Sequence, residues 1–256
     1  MSFGKNRVQY TDFYWTFYRF KNYDVYNYVG GKELATFVSE QAQNEMDVME
    51  RILDYRSTSR FQIVVFNKLS DLKQTNIGLE LDDQAYNIGG ITRVIGNKVL
   101  IYFDGNHQHL QQQIRAGMAR ALLEQLLYGG NIRERVQTSI LLNLPQWFTQ
   151  GLVTYLSEGW TVDNDNQLRD YILTTPKPAL SKLLETNEVF AGQSLWHYIV
   201  ENYGEASLSN LVYMTRINRS LESGFIYVLG LPLKQLSKGY AFMSKNIRHS
   251  KKTNYR

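Results

Sequence analysis

Cysteine is absent from the 256 residues, which excludes disulfides, thiolate metal sites and a cysteine nucleophile without fixing a compartment. Histidine is scarce: His107, His109, His197 and His249 are the four imidazoles from which any histidine-based metal or acid–base site must be drawn. No stretch approaches the roughly eighteen consecutive apolar residues of a membrane helix, and the opening MSFGKNRVQY lacks an apolar signal-peptide core. Neither a membrane span nor a signal peptide is expected in this chain. The Gly-x-Ser-x-Gly pattern, internal repeats and low-complexity linkers are also missing. The formal net charge is only +4, and part of the excess lies in KNIRHSKKTNYR, residues 245–256, which holds no acid. The body of the chain has no basic face interleaved with exposed aromatics, which argues against a nucleic-acid partner.

What is present begins with a hydrophobic content of 43%, ample for a real core, and eighteen tyrosines, suited to strand surfaces and broad contact faces. Tyr23 to Tyr28 alternates as a half-buried strand does. Lys32 to Tyr55 carries Leu34, Phe37, Val38, Ala42, Met46, Met49, Ile52 and Leu53 at helical spacing. Phe61 to Phe66 is a short β-branched run that reads as a buried strand, and Ser70 to Gln74 as a short helix. Asn76 to Asn87 reads as a loop, and ITRVIGNKVLIYF as a hairpin turning at Gly96-Asn97. The loop DGNHQH leads into a helix from about Leu110 to Tyr128. Beyond it everything reads as helical: Ile132 to Leu144, Pro145 to Glu158 with Pro145 in the first turn, Leu168 to Leu173, Leu180 to Glu185, Gly192 to Tyr203, Ser207 to Arg216, Leu221 to Leu229 and Leu233 to Lys245. The expected organisation is an α/β subdomain over residues 1–128, a helical subdomain over 129–245 and a basic tail or linker over 246–256.

Candidate chemistry is thin. His107 and His109 lie two apart, so they are not the i, i+4 pair that projects from one helix face onto one metal ion, and they read as polar loop histidines. His197, between Trp196 and Tyr198, reads as a hydrogen-bonded packing residue, and His249 belongs to the tail. Ser194 three residues before His197 is a common coincidence on a helix. Glu124, Glu158, Glu185 and Glu201 read as solvated helix faces.

Two helices carry a resemblance. LPQWFTQGLVTYL, Leu144 to Leu156, resembles the LP-x-W-F-x-E-G-L-A-x-Y-x element that bears the third zinc ligand in peptidase MA-like gluzincin metallopeptidases. QQIRAGMARALLEQ resembles their R-H-E-L-x-H-A-φ helix (φ apolar), with Ile114, Met118, Ala121 and Leu122 at the apolar places. In that family two histidines at i and i+4 and a glutamate from the following helix hold Zn²⁺, and a glutamate between the histidines is the general base. Here the histidine positions are Ala116 and Arg120, the base position is Gly117, and the third-ligand position is Gln150. The resemblance extends to LATFVSEQAQNEMDVMERILDYRSTSRFQIVVFN and to the helices GQSLWHYIVENYGEASLSNLV and LESGFIYVLGLPLKQLSKGY, and so covers nearly the whole chain. With FGKNRVQYTDF, that order also resembles the N-terminal module of exported Bacteroidetes proteins that continue into a TolB-like β-propeller.

The resemblance implies a gluzincin (zincin)-like α+β fold: a small mixed sheet with two helices, then a helical subdomain across a cleft. With Ala116, Gly117, Arg120 and Gln150 vacated, it implies no catalytic residue, no metal and no cofactor. Two readings of Arg120 stand open: its guanidinium occupies the vacated metal position with the Gln150 carbonyl or Glu124, or it points to solvent beside Glu124. Gly117 reflects either close approach of another segment or lost selection for a side chain. The expected function is a non-enzymatic pseudopeptidase module that binds a protein or peptide, including a C-terminal propeller of the same chain. Its expected location is exported, in the periplasm or cell envelope. Strand addition along Lys98 to Phe103, taken as the edge bordering the cleft, would capture a peptide without metal. Two alternatives remain: a hydrolase with an altered or displaced-ligand site in the same cleft, and a structural spacer beside a propeller.

Overall fold

The computed structural model describes residues 12–75, 93–95, 97–129, 142–176 and 178–236. The fold is α+β: a five-stranded mixed sheet and, among the described residues, nine helices. The chain forms two compact units, one holding the sheet up to Leu122 and the other holding the helices from Leu123 onward, with Ile52–Tyr55 assigned to the second. The expected loop at Asn76 to Asn87, residues 132–141 of the helix expected at Ile132 to Leu144, most of Leu233 to Lys245 and the basic tail lie outside the described residues; Leu142 to Leu144 are described and are not helical.

In the first unit β1 (Thr16–Arg19) and β2 (Tyr23–Asn27) form an antiparallel hairpin. Helix α1 (Lys32–Ile52) crosses over to β3 (Phe61–Phe66), which pairs parallel to β2. After α2 (Leu69–Gln74), β4 (Arg93–Ile95) and β5 (Lys98–Tyr102) make the expected second hairpin, with Ile95 opposite Lys98. Strand order is β1-β2-β3-β5-β4. The expectation that Lys98 to Phe103 is an edge is therefore overturned: β5 pairs with β3 on one side and β4 on the other. Among the described residues the edges are β1 and β4.

Strand β2 is not half-buried as its alternation suggests. Tyr23, Asp24, Val25 and Asn27 are all buried, because β2 is paired on both sides and covered on both faces. Its buried carboxylate at Asp24 is met by Arg60 Nη1 at 2.9 Å and Arg19 Nε at 3.3 Å. Arg60 also donates to the carbonyls of Phe20 (2.6 Å) and Lys21 (3.0 Å), so one guanidinium ties the β1–β2 turn to the start of β3. Alternation works as expected on β3 and β5, where Phe61, Ile63, Val65, Val99 and Ile101 are wholly buried on one face. Phe66, Leu100 and Tyr102 join Tyr28 and Leu72 in a second cluster. Helix α1 stops at Ile52 rather than Tyr55 because Asp54 takes a left-handed conformation, φ 46°, which Asp tolerates better than most residues.

The second unit contains α4 (Gln146–Glu158), α5 (Val162–Thr174), α6 (Leu180–Thr186), α7 (Glu188–Tyr203), α8 (Ala206–Asn218) and α9 (Leu221–Leu229). Several helices start earlier than apolar spacing suggests because polar caps start them. Thr161 and Asn164 form a reciprocal capping box on α5, and the Asn187 side chain accepts from Phe190 N on α7. No helix among the described residues is long and apolar enough to cross a membrane.

Candidate functional site

Helix α3 (His107–Tyr128) bears the sequence-predicted positions, and it begins three residues before the expected Leu110. The Asn106 side-chain carbonyl accepts from Gln108 N (2.9 Å) and His109 N (3.3 Å), satisfying orphan amides of the first turn. His107 and His109 are thus helical rather than loop residues. The His107 ring meets Phe37 and Phe103 edge-on, each with centroids 4.9 Å apart. His109 Nδ1 pairs with the Asp104 carboxylate. Against the burial that raises it, the His109 side chain and the Asn106 amide hold the Asp104 carboxyl below its usual range.

The next turns fasten α3 within the first unit. Gln113 is wholly buried, and its amide pairs with one residue of β5 twice: Nε2 donates to Tyr102 O (2.9 Å), and Oε1 accepts from Tyr102 N (3.2 Å). Arg115 donates through Nε and Nη2 to the two Glu45 oxygens of α1, both at 2.8 Å. The Glu45 side chain is 4% exposed and that of Arg115 37%, so a buried carboxylate is answered by a guanidinium that reaches solvent. Ala116 and Gly117, the positions of a ligand and the base in the resemblance, lie on the buried part of this helix, with Ala116 4% exposed. Arg120 is half-buried.

Gln150, at the third-ligand position, sits half-buried on α4. Pro145 is the residue before this helix rather than its first turn, and the Trp147 amide is capped by the Glu188 carboxylate of α7 at 3.1 Å. Gly151 packs against Gly192 so closely that a Cβ on Gly151 would lie 2.6 Å from Gly192 Cα. Trp196, wholly buried, donates from Nε1 to Phe148 O at 3.0 Å, fastening the same two helices. The motif glycine is therefore a packing residue in this chain.

His197 packs through its ring: it stacks on Trp160 with centroids 4.6 Å apart and planes 8° from parallel, and lies 6.3 Å from the Tyr155 ring. The expected hydrogen bond is not found among the described residues. Burial holds its pKa below 6.5, against the opposing fields of Glu201 and Asp165. The Ser194 Oγ donates to Ala191 O of its own helix at 2.8 Å. Glu158 departs from the solvated-face reading: it is half-buried, and burial pushes its carboxyl from 4.5 up to about 7. Its place at the end of an amphipathic helix gave no local signal of this.

Among the described residues no group of three or more His, Cys, Asp or Glu is placed to hold a metal ion. No protein-family model matches the chain, and no curated protein matches it.

Proposed function

We propose that the chain is a non-catalytic pseudopeptidase module with a gluzincin-like fold, which binds a protein or peptide as part of a larger exported protein. The observation that carries this reading is the content of the motif positions. Ala116 and Gly117 sit on the buried part of α3 and can neither coordinate a cation nor move a proton, while Arg120 and Gln150 supply no anionic ligand. The element order supports it as well. A strand–helix–strand unit is followed by a hairpin whose second strand leads directly into the motif helix, and α4 carries the W-F-x-x-G segment. Peptide capture by strand addition is assigned to an edge strand, β4 being the candidate in place of β5.

Elemental analysis of protein purified without chelators tests the reading, with less than a tenth of an equivalent of zinc expected; stoichiometric zinc would overturn it. A pull-down from envelope extract, compared between wild type and Arg120→Glu, then separates a binder that uses this face from a spacer beside a propeller. A partner lost on charge reversal supports the binder.

One observation favours a second reading, a hydrolase that uses other groups. Glu158 titrates near neutrality, where a carboxyl can act as a general acid or base. Turnover of peptide or ester substrates that disappears in Glu158→Gln would establish it.

A further inference from the structure

We propose that the groove between the β1–β2 hairpin and α1 binds small organic cations of the ammonium class. The groove lies within the first unit, uses no residue of α3 or α4, and so stands independently of the pseudopeptidase reading. Its volume is about 670 Å³, within the usual range of small-molecule sites. Tyr18, Phe20 and Tyr23 of the hairpin form one wall, and Glu40, Gln43 and Asn44 of α1 the other. The two walls are pinned at the base, where buried Tyr23 donates from its hydroxyl to Ser39 O at 2.9 Å and its ring stacks on Phe20 with centroids 4.9 Å apart.

Charge decides the ligand class. Among the described residues that line the groove there is no Lys, Arg or His, and Glu40 is the one formal charge. Glu40 and Asn44, one helical turn apart and therefore on one face, have no hydrogen-bond or ion-pair partner among the described residues. Arg19 and Arg60 are committed elsewhere: both pair with Asp24, and Arg19 also lies over the Phe17 ring at 5.2 Å. Asp47, one turn beyond Gln43 and hydrogen-bonded to it at 3.2 Å, deepens the negative field. The field reaches the groove floor: the Tyr23 hydroxyl is pushed up to about 12, by burial first and by Asp47 second. An anion would be repelled, and a neutral ligand would gain nothing from the exposed Glu40 carboxylate. An ammonium group gains both the carboxylate and the negative faces of the aromatic wall.

The test is a titration of the ¹⁵N-labelled full chain with choline, followed by amide shifts and run beside its uncharged carbon isostere neohexanol and beside methyl glucoside. Saturable shifts confined to the hairpin and to α1 around Glu40, given by choline and not by neohexanol, are expected. Affinity for choline should fall by about threefold or more in Glu40→Gln and in Tyr18→Ala, the range of an exposed charge or cation–π contact. Both positions are exposed, so unchanged thermal midpoints are expected to show that the fold is kept. Equal shifts with neohexanol, saturation by methyl glucoside without a response to choline, an unchanged affinity in Glu40→Gln, or no saturable shift at all each overturns the proposal.

Discussion

Arg115 grips both carboxylate oxygens of Glu45 at 2.8 Å, one residue before the position at which the family motif would place its first ligand. Removing the cation leaves a buried carboxylate without its main partner, whereas removing both charges leaves an apolar contact between α1 and α3. Arg115→Met is expected to cost about 2 kcal/mol in urea denaturation, reduced from the fully buried case because the guanidinium is partly solvated. The double change with Glu45→Met is expected to recover most of it. A double variant no more stable than the single would show that the pair is not the unit of stability.

Gln113 satisfies both backbone groups of Tyr102 from a wholly buried side chain. Gln113→Ala strips a donor and an acceptor at once and opens a small void, for an expected loss of about 2–3 kcal/mol. Gln113→Glu should be worse than its size suggests, because one amide donor is replaced by a carboxylate oxygen facing the Tyr102 carbonyl. Equilibrium unfolding of both variants checks the order.

Gly151 and Gly192 bring α4 and α7 into backbone contact. A methyl group at Gly192 would strike the Trp147 backbone, which cannot move without disturbing the amide capped by Glu188. Gly192→Ala should therefore destabilise by about 3 kcal/mol or more, at the upper end for overpacking. Glycine-to-alanine replacement inside an unobstructed helix would instead be stabilising by up to about 1 kcal/mol, so the sign of the measured change is decisive.

Two groups of the second unit give stability opposite pH dependences. Glu158, with its carboxyl raised from 4.5 to about 7, binds its proton more tightly when folded. Stability from this group is complete below about pH 4.5 and declines as pH rises through 7. Its partial exposure screens the loss to on the order of 1 kcal/mol. His197, with its pKa depressed below 6.5, works the other way: its contribution is complete above 6.5 and lost as pH falls through the folded value. Thermal midpoints between pH 4.5 and 7.5 should therefore rise more steeply with pH in Glu158→Gln than in wild type. In His197→Phe, which keeps a ring on Trp160, they should rise less steeply than in wild type. Parallel curves for all three proteins would refute both assignments.

The parts of this fold that were legible in the sequence are those that depend on local period. Met46 and Met49 mark the buried face of α1, Phe61 to Phe66 reads directly as β3, and the expected second hairpin is the antiparallel β4–β5 pair. Helix starts were less legible, because Asn106, Thr161 and Asn187 begin helices with polar side chains before any apolar period is established. Beyond the β4–β5 hairpin, strand order was not legible. Whether β5 is an edge depends on its pairing with β3, some thirty residues earlier, and no local pattern carries that information. Of the candidate site, the occupants of positions 116, 117, 120 and 150 were readable outright. The burial of Glu158 was not, since it arises from tertiary packing around the end of α4.

The contact at Gly151 has a further consequence for position 150. Successive residues on a helix are turned by about 100°, so a backbone held face to face with Gly192 fixes the rotational phase of the whole of α4. The direction in which residue 150 leaves the helix is then set by its neighbour and is indifferent to its own chemistry. A carboxylate and a carboxamide can therefore be exchanged at position 150 without repacking either helix, so the chemistry presented there is uncoupled from the architecture that aims it.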